Sequence, residues 1–217
     1  MITLTPAQAW REMAEGNDRF IAGQPRHPHQ DADRRAELAH IQNPIATVFG
    51  CSDSRLAAEI IFDKGLGDLF VIRNIGQVTS DSVLGSLEFA VGILGVPLLV
   101  VLGHDECGAV AAAIASQEQT PNAIPPHIAK ITDAIVPSVH RVAGHEGAID
   151  PAVIDAAEVG RDHLHQTITD LLEASEIMSA AVAAGKLAIV GANYKLREGR
   201  VATHFVVGNI EEKVSAQ

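Results

Sequence analysis

The chain has 217 residues, 47% of them apolar and 20% charged, a balance that supports a buried core and excludes a disordered chain. Its 27 acidic residues against 16 Lys and Arg give a net charge of −11, which repels phosphate backbones and anionic lipid surfaces, so neither nucleic acid nor membrane is expected as a partner. The longest apolar runs, such as Val96–Leu102, are strand-sized and far short of the roughly 20 residues that span a bilayer, and Met1–Trp10 lacks a signal peptide's basic start and apolar run; the expectation is one cytoplasmic domain over 1–217.

Thr5-Pro6 reads as an N-cap with a first-turn proline, and Ala9, Trp10, Met13 and Phe20 recur at helical spacing through Ala22. A second helix is predicted over Asp31–Ile41. Both are more polar than core helices and precede the first strand, which marks 1–41 as a helical arm available to another subunit and 42–217 as the α/β core. From there the pattern alternates. Ile45–Gly50 reads as a buried strand, Leu56–Phe62 as a short helix, Leu69–Arg73 as a strand and Ser82–Leu94 as a helix closed by Gly95. On that helix Val83, Leu87, Ala90 and Leu94 form one apolar stripe while Phe89 and Ile93 lie outside it, so two faces call for two partners. Pro97–Gly103, nearly all Val and Leu, is a buried strand, followed by an Ala-rich helix over Cys107–Ser116. The spacing predicts helices over Ile128–Val142 and Ile154–Ala184, strands over Leu187–Ala192 and Val201–Val207, and a turn at Glu198-Gly199. The fold class is α/β: a mainly parallel sheet with an antiparallel edge strand, flanked by helices.

Ligand sites in such sheets form beyond the carboxyl ends of the strands, and both cysteines of the chain stand there. Cys51 follows the first strand within "CSDSR", and "GHDECG", Gly103–Gly108, follows the strand ending at Leu102. Neighbouring strands lie about 4.8 Å apart, close enough for one tetrahedral ion to bridge both loops. In a cytosolic chain thiols stay reduced, so metal or catalytic duty competes with simple burial. His104 and Cys107, separated by two residues, can both turn toward one ion, and two thiolates with one imidazole select zinc over magnesium or calcium. Asp53 and a water are the candidates for the fourth position. Taken singly, each residue has an ordinary reading: a packed thiol, a core histidine, a loop-capping Asp, a solvated Arg. Their convergence at two strand ends favours the metal.

The pairing of C-x-D-x-R at Cys51, Asp53 and Arg55 with H-x-x-C at His104 and Cys107 resembles the β-class carbonic anhydrases, in their plant-like pocket branch. The resemblance is strongest from about Gln42 to Val110 and includes "GDLFVIRN", Gly67–Asn74. It implies a homodimer or homotetramer whose N-terminal helices embrace the partner, one Zn2+ per chain on Cys51, His104 and Cys107, and carbon dioxide and bicarbonate as the small-molecule substrate pair. It also implies that Asp53 and Arg55 open and close the fourth zinc position, Asp53 being a ligand in the closed form only. Gln42, Phe70, Phe89 and Gly108 fall at substrate-pocket positions, with Phe89 where relatives often carry Tyr.

Zinc in such a site makes hydroxide available for attack on carbon dioxide. Two thiolates leave the ion formally neutral, so Asp53 competes best where hydroxide is scarce and a closed form is expected at low pH. The remaining histidines, His163 among them, lie in polar or weakly patterned stretches and are read as surface residues. Two alternatives are a zinc hydrolase of carbon disulfide or carbonyl sulfide on the same scaffold, and a structural or sensor zinc protein with four protein ligands.

Overall fold

The computed structural model describes residues 4–211. Helix α1 (Pro6–Ile21) opens with a reciprocal cap: Gln8 N–H donates to the Thr5 hydroxyl at 3.2 Å and Thr5 N–H to Gln8 Oε1 at 3.0 Å. Part of its apolar stripe packs on its own chain. Ala9 and Met13 are fully buried, and Asn17 donates to the carbonyls of Ile61 and Gly199 while accepting from Val201 N–H. Helix α2 (Ala32–Leu38), capped by Asp31, buries no residue and ends three positions earlier than the spacing predicts.

Five strands form one sheet in the order β2-β1-β3-β4-β5: β1 Ala46–Cys51, β2 Leu69–Asn74, β3 Leu98–His104, β4 Ala188–Lys195 and β5 Arg200–Val207. All pairings are parallel except β4 with β5, the antiparallel edge expected from the sequence. Every residue of β1 and β3 is buried, because helices cover both faces of the parallel part. Along β3 the pleat divides the side chains: Leu98, Val100 and Leu102 enter one core with Met13 and Phe62, and Leu99 and Val101 enter the other with Leu164 and Leu171. Residue exchange between faces would invert this division, so the register of the central strands is firmly set.

Three predicted helices differ in detail. The run over 128–142 is two helices, α6 (Pro126–Asp133) and α7 (Val136–Ala143), because Pro137 has no N–H to continue the ladder and the chain restarts with it in the first turn of α7. The run over 154–184 begins at Asp155, which caps α8 (Ala156–Ala174), and breaks at Ser175, whose backbone is extended at φ −126°, ψ 108°. The buried Ser175 hydroxyl accepts from Met178 N–H to start α9 (Glu176–Ala183) and donates to Glu88 at 2.7 Å. Helix α4 (Asp81–Glu88) widens into a π turn over Phe89–Ile93, with Leu94 N–H reaching Phe89 O at 3.0 Å. The two-faced reading of this segment holds for most of the stripe: Val83, Leu87 and Ala90 are buried and Leu94 is half-buried, whereas Phe89 is 43% and Ile93 72% exposed. The short α3 (Ala58–Ile61) and α5 (Gly108–Ala115) follow the two cysteine-bearing loops. Among the described residues no helix is long and apolar enough to cross a membrane.

Candidate metal centre

The sheet register brings the two cysteine loops together. Gly50 pairs with Leu102, so Cys51 at the end of β1 lies beside the segment that carries His104 at the end of β3. Cys107 occupies the cap position of α5, reached through Glu106 in the left-handed region at φ 52°. The ligand atoms of Cys51, His104 and Cys107 all lie within 4.8 Å of one another, and all three residues are buried. Asp105 braces the connection: its N–H donates to Tyr194 O and its carboxylate accepts from Leu196 N–H.

His104 Nδ1–H donates to Asp105 O at 2.8 Å, which leaves Nε2 as the bare lone pair facing the sulfurs. That atom is buried and has no hydrogen-bond partner, an expensive arrangement unless something positive meets it. Cys51 tells the same story. A hydrogen bond from Cys107 is the largest influence that lowers its pKa to about 4, against the opposing effect of burial, with help from the N–H groups of Gly76 and Asp53. Cys107, donating to that sulfur and buried, is pushed up correspondingly. A cation held by both sulfurs would take the place of a proton there. Two sulfurs, an imidazole lone pair and no competing oxygen ligand in the cluster fit zinc.

Beside the cluster, Asp53 and Arg55 form a bidentate pair, Nε to Oδ1 at 2.9 Å and Nη2 to Oδ2 at 2.7 Å, and Arg55 N–H also donates to Oδ1. Arg55 lowers the Asp53 pKa well below the ordinary carboxylate range. The same guanidinium reaches Glu106 O at 3.1 Å, joining the two loops. Asp53 Oδ2 is 3.9 Å from His104 Nε2, so the carboxylate stands next to the cluster while engaged by arginine.

Gly108 is exposed next to Cys107, and a methyl group added there would meet no atom within 4 Å, so it borders open space. Gln42, Phe70 and Phe89 are elsewhere. Gln42 is exposed before the amino end of β1, whose first residue is about 17 Å from Cys51 at 3.3 Å per step. Phe70 pairs with Thr47, about 13 Å back from Cys51 by the same rise, and its ring stacks on Phe89 at 6.2 Å between centroids. The chain does not bring these three to its own cluster.

Three contributors are not singled out in the sequence reading. Arg73 donates to Cys51 O at 3.0 Å and to Asp53 O at 2.7 Å, pinning the first loop from β2. Gly76, at φ 73°, donates to Cys51 Sγ at 3.4 Å. His163 is buried in α8, not on the surface, and bonds Gly76 O at 2.8 Å. For Arg73 alone a signal existed, a cation at the carboxyl end of a strand predicted to neighbour the cysteine.

The profile of the carbonic anhydrase family matches residues 46–201. "Carbonic anhydrase 2" of Mycobacterium tuberculosis is 46% identical over 215 residues, covering 99% of this chain and 100% of that protein. The carbonic anhydrase of Mycolicibacterium smegmatis is 44% identical over 208 residues, covering 95% of this chain and 97% of its own. Among solved structures, the Coccomyxa β-carbonic anhydrase in complex with acetazolamide is 26% identical and covers 80% of this chain and 78% of its own, with a TM-score of 0.66. A tetrameric β-carbonic anhydrase of Sordaria macrospora shares the fold at 24% identity, TM-score 0.68, over 89% of this chain and 95% of its own. With the Cys-His-Cys cluster at the strand ends and the Asp53–Arg55 pair beside it, the match over nearly the whole sequence means that this chain belongs to the β-carbonic anhydrase family.

Proposed function

We propose that the protein hydrates carbon dioxide reversibly to bicarbonate and a proton, using one zinc ion held by Cys51, His104 and Cys107. The observation that carries this reading is the buried His104 Nε2, without a partner and facing two sulfurs, next to a carboxylate that an arginine holds. Bound zinc supplies a Lewis acid that makes a water nucleophilic near neutral pH. The protein does the rest. Asp53, oriented by both nitrogens of Arg55, accepts the hydrogen of the nucleophile and aims its lone pair at the substrate carbon. Held by Arg55, Asp53 Oδ2 is already 3.9 Å from His104 Nε2, so a carboxylate released by Arg55 would be near enough to compete for a metal held by Cys51, His104 and Cys107. Arg55 is what separates this reading from a structural zinc module, where a closed set of ligands has no use for a guanidinium that withdraws one of them.

The pocket is shared between two copies. Gln42, Phe70 and Phe89 lie too far from their own cluster to line it, yet Phe89 and Ile93 are exposed on an apolar surface beside the stacked Phe70. A homodimer packed through this surface places those side chains over the other copy's metal, completing an apolar pocket suited to an uncharged gas. Its place is the cytoplasm, where the two thiols stay reduced and free to bind metal. Stopped-flow hydration of carbon dioxide, before and after removal of zinc with a strong chelator and again after zinc is restored, tests substrate and metal together. Hydration that survives complete zinc removal refutes the proposal, as does turnover of carbon disulfide or carbonyl sulfide without carbon dioxide hydration.

A further inference from the structure

Gly76 is held from two sides. Its N–H donates to Cys51 Sγ at 3.4 Å, and its carbonyl oxygen lies 2.8 Å from His163 Nε2, a contact between residues 87 positions apart. A carbonyl oxygen only accepts, so the His163 proton is on Nε2. Burial is the largest influence on His163 and lowers its pKa despite the Gly76 bond, which keeps the ring neutral and the tautomer fixed. The two ends of this link differ in rigidity. His163 belongs to α8, anchored in the second core by Leu164, Ile168 and Leu171, whereas Gly76 belongs to a short turn over 75–77 at the end of β2. Gly76 adopts φ 73° with Ala109 packed so closely that an added methyl would come within 2.8 Å of its Cβ.

We propose that His163 is a positioning residue for the Cys51 ligand: by holding Gly76 O it fixes the 75–77 turn so that Gly76 N–H stays on the sulfur and sets the aim and donor strength of that thiolate. This rests on the reading of the cluster as a metal centre. The physical reason is that a hydrogen bond to a thiolate draws density from the sulfur, and that a buried carbonyl deprived of its donor will move to find another. Partners one layer behind a ligand typically change metal affinity 10–100-fold when removed.

His163→Gln and His163→Met are close in size to each other, but glutamine carries an N–H near the position of Nε2 and methionine carries none. Each is loaded with cobalt(II), and the thiolate-to-cobalt charge-transfer band and the dissociation constant from chelator competition are measured, with circular dichroism of the metal-free forms reporting folding. H163M is expected to shift the band and weaken binding about 10–100-fold, and H163Q to keep the wild-type band and an affinity within about threefold. If H163M does not fold, His163→Asn, whose amide is too short to reach Gly76 O, is judged by the same expectation. A wild-type band and affinity in the donor-free variant overturns the proposal. So does equal loss in H163Q, which assigns the residue to packing alone. Wild-type protein that takes up no cobalt overturns the metal-centre reading itself, a distinct result.

Discussion

Gly76→Ala is the most informative single change in the site. The residue sits at φ 73°, where a side chain costs roughly 1–2 kcal/mol. The new methyl would also meet Ala109 Cβ at 2.8 Å and Ile135 Cδ1 at 3.1 Å, and since Ala109 has no rotamer to change, relief requires a backbone shift, about 1–3 kcal/mol more. Together these predict a loss of about 2–5 kcal/mol and, for a chain of this length, a fall in Tm of roughly 5–15 °C. The shift also carries Gly76 N–H away from Cys51, so the stabilisation that zinc adds should shrink. A tenfold rise in the zinc Kd removes about 1.4 kcal/mol of it at fixed free zinc. Thermal unfolding of zinc-loaded and chelator-stripped protein, at one protein concentration and one scan rate, reads both effects. Gly160→Ala is the control: it lies in α8 with no atom within 4 Å of the added methyl, and should be neutral or stabilise by up to about 1 kcal/mol. If G76A melts with wild type, or changes Tm no differently from G160A, the account of this turn is wrong.

Arg55→Ala should lower kcat/KM for carbon dioxide on the order of 100-fold while zinc per chain, by elemental analysis, stays at the wild-type value; retained activity would remove Arg55 from the mechanism. Cys107→Ser should leave less than a tenth of the wild-type zinc after dialysis, measured the same way, because the hydroxyl is a far poorer ligand than the thiolate. Asp63 gives a pH signature. Burial would raise its pKa, but Arg19 at 2.6 Å and the N–H groups of Arg26 and His27 outweigh it and lower the pKa below that of the unfolded chain, about 3.9. The unfolded state therefore binds the proton first, and the stability Asp63 contributes is full above about pH 4 and lost as pH falls through the folded value. Asp63→Asn should cost about 2 kcal/mol at pH 7 by urea titration, with the gap to wild type narrowing below about pH 4; a gap that widens with acid contradicts this sign.

The central strands were legible because β1 and β3 are buried on both faces, which demands continuous apolar runs and leaves no other pattern to confuse with them. The Cys-His-Cys cluster was legible because Cys51, His104 and Cys107 are scarce residue types placed where such sheets put their ligand sites. Helix breaks were harder. Ser175 breaks the run by capping α9 while its hydroxyl is held by Glu88, distant in sequence, and nothing near residue 175 announces that partner. Pro137 did mark the other break, but the apolar spacing on either side of it continued and masked the missing donor. His163 and Gly76 act through contacts that exist only once α8 lies against the strand ends, so no spacing rule reaches them. The docking of α1 on its own chain was equally hidden: its polar outer face dominates the composition, while Ala9, Met13 and Asn17 make the contacts.

Since β1 and β2 run in the same direction, with Asn74 opposite Cys51 and Phe70 opposite Thr47, each chain carries its Cys-His-Cys cluster and its Phe70–Phe89 pair at opposite ends of the same strands. In the paired assembly proposed above, faults at the two ends complement one another. A chain crippled at Cys107 mixed with a chain crippled at Phe70 gives a hybrid in which one site inherits both faults and the other inherits two sound halves, so activity reappears from two dead parents.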